Sequence, residues 1–404
     1  MDTCHTPAGA APPARTDADV VVVGARLAGA ATALLLARRG YRVVVVDRAP
    51  LGSDTMSTHA FMKGGVMQLQ RWGLLDRVVA AGTPPIRQTT IHYGDDAVTI
   101  PIKPGGAVDA LYAPRRTVID PILVAAASEA GAEFRFDVTV TDLRRDRTGR
   151  VTGVLGRDSD GRPVEVAAAM TVGADGVHSA VVRATGAATY HQGRFASAFV
   201  YAHFAELPAS GYEWFYRPGV SAGVIPTNHG DTGVWAGVPA ERFAAEMRPD
   251  VEAGFRRTLA VAAPDVAERL SDATRRGPWR SFPGRPGYVR QSWGPGWALV
   301  GDAAHFKDPL GAHGMTDAVR DAELLAAAIE VAVGGHASEQ QALSAYQETR
   351  DALSGRFFAA VDAVASYTWT LDTLPALLVE LSDAMRDEVE AIRRFDAQPT
   401  MAAG

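Results

Sequence analysis

Three groups of glycine and acid residues carry the chemistry legible in this chain. The first is Gly24-Ala-Arg-Leu27-Ala28-Gly29, with Asp47 downstream. The second is Gly173-Ala-Asp175-Gly176-Val-His-Ser179. The third is Gly301-Asp302, followed by Pro309, Gly311, Ala312, His313, Gly314, Met315 and Thr316. A glycine turn between a buried strand and a helix leaves amide groups unpaired and aims them at a pyrophosphate. Asp47 lies 23 residues beyond Gly24, near the spacing of ~20 expected of an acid that accepts ribose hydroxyls. The fingerprint departs from G-x-G-x-x-G at one place, where Arg26 replaces the second glycine. Its guanidinium can reach a phosphate, or its bulk can crowd the turn.

Other reactive side chains are weaker candidates. His59 and Lys63 lie in the polar segment after Asp47, where solvent-facing side chains of a loop are the plainer explanation. Asp302 alone would be read as a turn cap, and His305 beside it as a packed, hydrogen-bonded histidine. His313 falls within the third glycine group and could face solvent or a cavity. Tyr212 belongs to an aromatic stripe with Trp214 and Tyr216 that more often forms a sheet core. His59, His313 and Tyr212 are the only catalytic candidates retained, all weak. No H-x-x-x-H spacing occurs, and Gly219-Val-Ser221-Ala-Gly223, though it spells G-x-S-x-G, lies inside the aromatic period-two region rather than at a strand-to-helix elbow. Neither a metal site nor serine-hydrolase chemistry is therefore expected.

The elements that would position these groups follow from the hydrophobic pattern. Val20 to Val23 and Val43 to Val46 are unbroken β-branched runs, suited to parallel strands buried on both faces. Leu27 to Arg39 reads as an Ala/Leu helix closed by Gly40. One amphipathic helix is expected over 66–81, with strands at 89–93 and 97–102 before a Pro104-Gly105-Gly106 turn. A helix over 117–130 leads to a strand at 132–136, a hairpin over 138–167 and a short buried strand at 170–174. Near-period-two aromatics from Arg194 to Val238 predict an antiparallel meander. Helical segments follow at 241–246 and 250–259, then a strand at 297–300 and a helix over 316–333. The remainder to about 395 is helical.

The 404 residues exceed what one core usually serves, which points to two packed domains. The expected division places a disordered tail at 1–18, a nucleotide-binding domain at 19–84 with 107–188 and 290–335, and a β-rich domain at 85–106 with 189–289. A C-terminal helical region covers 336–404. The net charge of −6 provides no basic field for nucleic acid. Cys4, the sole cysteine, sits in the tail, so no disulfide framework exists. The tail has no apolar signal core and no run suits a membrane span. A soluble, cytoplasmic protein is expected.

Together, the three blocks resemble the FAD-dependent monooxygenases of the para-hydroxybenzoate hydroxylase type, including the geranylgeranyl-reductase-like branch. The resemblance covers nearly the whole chain beyond the tail. It implies an α/β fold: a Rossmann-type FAD-binding domain interrupted by an antiparallel β-sheet substrate domain, with C-terminal helices. It also assigns roles. Gly24, Leu27, Ala28 and Gly29 would receive the pyrophosphate, with Asp47 and Arg48 at the adenosine ribose. Arg116, or its neighbour Arg115, would reach the flavin phosphate or ribityl chain. Asp175 would hold the second turn with Arg183 as partner, and Gly301-Asp302 would meet the ribityl. Pro309 and Gly311 to Met315 would pass the flavin edge, where a helix N-terminus favours the negative charge of reduced flavin.

The implied chemistry is NAD(P)H-dependent reduction of FAD. A flavin C4a-hydroperoxide then inserts one oxygen atom from molecular oxygen into a bulky, largely apolar or aromatic small molecule. Natural-product tailoring fits that substrate class. An alkene reductase of the geranylgeranyl reductase sort is the alternative. A halogenase is weaker, because W-x-W-x-I-P is absent, and a non-catalytic flavoprotein weaker still. Arg26 for glycine, Asp47 where many relatives carry Glu, and Thr316 where Asn is frequent loosen the subfamily assignment without removing a charge from the cofactor site.

Overall fold

The computed structural model describes residues 17–104 and 108–397. Most of the expected N-terminal tail, Cys4 and the Gly105-Gly106 turn lie outside the described residues. Asp17 and Ala18 do not belong to a tail: Asp17 donates its amide to the Ala167 carbonyl, and Ala18 opens the first strand.

The fold is α/β. Its first sheet runs in the order Trp293–Gly294, Trp297–Leu299, Pro163–Gly173, Ala18–Val23, Val43–Val46, Glu133–Arg135. All neighbours are parallel except the first pair. Alternate valines feed two cores, as the two-residue side-chain period demands. Val20, Val22, Val43 and Val45 pack under the helices Leu27–Arg38, Arg116–Glu129 and Gly314–Val333. Val21, Val23, Val44 and Val46 pack against the strands Thr139–Arg145 and Val151–Arg157.

The expected hairpin and the short strand after it share one long strand. Residues 163–167 of Pro163–Gly173 pair antiparallel with Val151–Arg157, and residues 168–173 pair parallel with Ala18–Val23. A continuous strand can serve two partners because its two edges present separate rows of backbone groups. The single helix expected over 66–81 is two, Lys63–Arg71 and Leu75–Ala80. Gly73 separates them in a left-handed conformation, φ +71°, which ends a helix.

The second sheet has seven strands, ordered Thr274–Phe282, Ser197–Ala205, Thr232–Pro239, Val220–Pro226, Tyr212–Arg217, Gln88–Tyr93, Asp96–Pro101. The expected meander is its centre, but Tyr212–Arg217 pairs parallel with Gln88–Tyr93. Those strands come from distant parts of the chain, so no tight turn forces them antiparallel. One face, with Val200, Phe204 and Val234, packs on the helices Ala240–Glu246 and Val251–Ala262. The other carries Phe199, Tyr201, Tyr212, Trp214, Tyr216 and Trp235 toward the C-terminal helices. Those are Glu339–Ala365, opened by a Ser338/Gln341 capping box, and Leu374–Ala397. No helix among the described residues is long and apolar enough to cross a membrane.

Candidate functional site

The first glycine turn is built by close approach. Gly24 has φ +105°, and a Cβ there would stand 2.5 Å from the Ala174 carbonyl oxygen. A Cβ on Gly29 would stand 1.8 Å from the Gly24 carbonyl oxygen, so only glycine lets the helix sit on the turn. Asp47 clamps that turn, accepting the amides of Ala25 at 2.6 Å and Ala49 at 2.8 Å. A concavity of about 250 Å³ opens beside it, walled by Arg26, Asp47, Ser53, Asp120 and Phe136. Arg26 keeps an extended backbone at the helix entry and reaches toward Ser53 Oγ at 3.4 Å. Burial, then the Arg116 guanidinium, holds its pKa below the usual arginine range. Leu27 is buried in the core and Arg48 is exposed.

The second and third blocks converge on the first. Asp175 accepts the amides of Ala180 at 2.6 Å and Val181 at 3.4 Å, while its Oδ1 is buried without a partner. Burial pushes its carboxyl up. Arg183 is not its partner: that guanidinium donates to the His178 carbonyl. Gly301, at φ +62°, leaves room for the Ala28 methyl, which a Cβ would approach to 2.9 Å. Asp302 has an exposed edge, and no described residue bonds its carboxylate. The protein around it pushes its carboxyl up to about 6, against the pull of Arg116; the exposed edge moderates that push.

Arg115 and Arg116 part company. Arg116 pairs with Asp120 at 2.9 Å and acts on both Arg26 and Asp302, so it belongs to the nucleotide side. Arg115 pairs with Asp231 at 3.3 Å, on the large-sheet side.

The loop before the helix Gly314–Val333 is held from several directions. Asp308 accepts the amides of Leu310 at 2.9 Å and Ser197 at 2.6 Å, which ties the loop to the large sheet. Burial raises its carboxyl to about 7. Ala312 takes a left-handed φ of +47°, and Gly311 lies under Phe357. At Gly314 a Cβ would meet nothing within 4 Å. The first helical amides there have no intrahelical acceptor, and they carry the positive end of the helix dipole.

His313 faces neither solvent nor a cavity. Its Nε2 lies 2.6 Å from Glu388 Oε2, and its ring packs on Phe357. Glu388 also pairs with Arg320 at 2.5 Å, and Arg320 continues to Asp317 and Asp321. Lys307 joins through Asp317 at 2.8 Å. His313, Asp317 and Glu388 place ligand-type atoms within 4.8 Å of one another. The Lys307 and Arg320 cations already neutralise those carboxylates, which leaves little attraction for a metal ion. His305 is packed on Phe358 as expected, but neither ring nitrogen has a hydrogen-bond partner. Tyr212 is core, packed against Trp214, with burial raising its hydroxyl pKa.

The FAD binding domain family matches residues 17–360. The chain belongs to that family. It is an FAD-dependent oxidoreductase, related to hydroxylases and monooxygenases of the para-hydroxybenzoate hydroxylase type. Aklavinone 12-hydroxylase DnrF of Streptomyces peucetius is 28% identical over 373 residues, covering 84% of this chain and 73% of that protein. Menaquinone reductase of Mycolicibacterium smegmatis is 28% identical over 323 residues, covering 74% and 73%. The flavin-dependent brominase Bmp2 matches with a TM-score of 0.78 over 93% of this chain and 92% of its own, at 20% identity, which speaks to fold alone. The residues present fit FAD. The glycine cradle is one that side chains would fill, Asp302 has a carboxylate without a protein partner, and the helix at Gly314 opens onto free space.

Proposed function

We propose that this enzyme uses NAD(P)H and FAD to insert one oxygen atom from molecular oxygen into a bulky, largely apolar aromatic molecule, in natural-product tailoring. One observation carries the reading. The aromatic face of the large sheet, with Tyr201, Trp214 and Trp235, shares a single packed cluster with Leu310 and Ala312 of the loop that precedes Gly314. An apolar aromatic surface thus adjoins the loop assigned to the flavin edge, which suits an apolar substrate. In this reading residues 85–106 and 189–289 form the substrate-facing part.

Gly24, Ala28 and Gly29 would receive the pyrophosphate, with Asp47 accepting adenosine ribose hydroxyls and Arg116 supplying positive charge. Asp302 would accept a ribityl hydroxyl. The free amides at Gly314 to Thr316 would offer hydrogen bonds and partial positive charge to the pyrimidine edge of the flavin. Bound FAD would supply two-electron transfer and oxygen activation, which no protein side chain provides. The chain's own part is to bind, orient and exclude water.

A reductase is the second reading, favoured by the likeness to menaquinone reductase. A halogenase finds no support at Lys63, whose ammonium donates to the Lys103 carbonyl at 3.0 Å. The deciding experiment supplies holoenzyme with NAD(P)H, isotopically labelled oxygen and a panel of polycyclic phenols and quinones. One labelled oxygen atom in the product is expected. Anaerobic turnover of a quinone or alkene without label in any product would replace oxygen insertion by reduction.

A further inference from the structure

A second concavity, of about 210 Å³, opens on the aromatic face of the large sheet. Ser57 and His59 form one side, Tyr201 and His203 another, and Ile225 with Trp235 supplies apolar wall. His59 is 3% exposed and His203 5%. Their ring centroids lie 5.2 Å apart. Neither ring nitrogen of His59 has a hydrogen-bond partner, and His203 Nε2 has none. Buried polar atoms are nearly always paired. Three unpaired nitrogens around one recess therefore mark a place where a ligand completes the hydrogen bonding.

The chain holds this recess in place. His59 adopts a left-handed backbone, φ +65°. Its amide donates to Ser57 Oγ at 3.0 Å, and the Ser57 amide donates to the Tyr201 hydroxyl at 3.1 Å. Ser57 Oγ also lies 3.3 Å from Met315 Sδ, in the first turn of the helix that begins at Gly314. The recess therefore adjoins the proposed flavin edge.

Its electrostatics select the ligand. Burial, then neighbouring cationic groups, pushes both imidazoles down, His203 to about 4. Both are neutral near neutral pH, and each offers one N–H and one lone pair. The nearest fixed charges are matched: Arg280 with Asp54 at 2.7 Å, Arg115 with Asp231 at 3.3 Å. None of these four belongs to the wall. A carboxylate entering the recess would lose its water without gaining a cation to offset the loss.

We infer that the recess receives the polar end of the substrate, and that this end is a neutral hydroxyl or carbonyl oxygen on an aromatic ring, held by His59 and His203. The inference rests on the proposed action on a bulky aromatic molecule, and adds that a carboxylate-ended substrate is rejected. The enclosed part amounts to only about 10 Å³, room for roughly one water-sized group such as a single oxygen. It suits one end of a bulky aromatic substrate, the rest lying along the aromatic sheet.

The test is equilibrium titration of the holoenzyme with α-naphthol, α-naphthoate and naphthalene near neutral pH, read by flavin absorbance and tryptophan emission. No reductant is added, so failed binding is separable from failed oxygen insertion. Naphthol is neutral under these conditions, its phenolic pKa being near the ~10 of tyrosine. It is expected to bind at least about tenfold more tightly than naphthoate. His203→Phe and His59→Gly, the latter removing the imidazole at a left-handed position that glycine tolerates, should remove most of that preference while leaving naphthalene binding in place. His203→Asn, which retains a donor and an acceptor, should restore part of it. Circular dichroism and FAD content establish that each variant is folded. The inference is overturned if naphthoate binds as tightly as naphthol, which would make Arg115 an anion site. It is equally overturned if naphthol does not bind, or if the folded variants keep the full preference.

Discussion

His313 Nε2 lies 2.6 Å from Glu388 Oε2, a bond that joins the residue preceding the helix Gly314–Val333 to a helix 75 residues further along the chain. Burial pushes the Glu388 carboxyl up, but His313 and Arg320 outweigh it and hold the group below its usual value. The C-terminal helix thereby fixes the helix end assigned to the flavin. Removing one member of a buried ionic cluster strands the others, at about 3–5 kcal/mol. Glu388→Ala should lose stability on that scale in urea unfolding at saturating FAD, and Glu388→Gln should lose less. A change below about 1 kcal/mol for the alanine variant would show that the cluster is not a buried pair network.

Asp308 yields a pH prediction. Its folded pKa of about 7 lies above the ordinary 3.8. The folded state thus keeps a proton that the unfolded chain releases. The stabilisation is fully present below the ordinary value and is lost as pH rises through about 7, at about 1.4 kcal/mol per unit. Asp308→Asn imitates the uncharged acid. Its melting temperature relative to the parent should therefore increase between about pH 4 and about pH 7, from the ordinary value to the folded one, and level off above that. A difference that stays flat with pH would mean that Asp308 titrates normally.

Gly311 and Gly314 should respond in opposite ways. A Cβ at Gly311 would come within 2.9 Å of the Phe357 ring, whereas one at Gly314 meets no protein atom within 4 Å. Gly311→Val should destabilise the FAD-free protein by about 1–3 kcal/mol through overpacking. Gly314→Val should leave FAD-free stability within about 1 kcal/mol and weaken FAD binding by at least about tenfold. Calorimetric FAD titration checks the second, and unchanged affinity would move the flavin elsewhere.

Asp302 makes no side-chain hydrogen bond to any described residue. Asp302→Ala should therefore leave FAD-free unfolding within about 0.5 kcal/mol of the parent. FAD affinity should fall about tenfold or more, the worth of a charge-assisted hydrogen bond. Equal affinity in parent and variant would exclude the ribityl role.

The sequence by itself determined the parts whose cause is local. Runs of valine make buried parallel strands. Gly24, Gly29 and Gly301 mark turns that only glycine accommodates, and period-two aromatics make one face of a sheet. These follow from backbone sterics and side-chain alternation within a few residues. The three glycine-acid blocks and the α/β fold are therefore legible in the order of residues alone.

What depended on distant partners was decided by the tertiary structure. Arg115 and Arg116 are adjacent, yet packing sends one to Asp231 and the other to Asp120. Asp175 accepts helix amides at one oxygen, and Arg183 turns away to the His178 carbonyl. His59 meets His203 only because strand pairing places the large sheet against the loop after Asp47. Glu388 occupies one position among many acids on an amphipathic helix, and nothing in its neighbours marks it as buried. The physical reason is the same throughout. A charge or imidazole takes its role from burial and from the groups brought against it, and those are fixed only when segments far apart in the chain pack together.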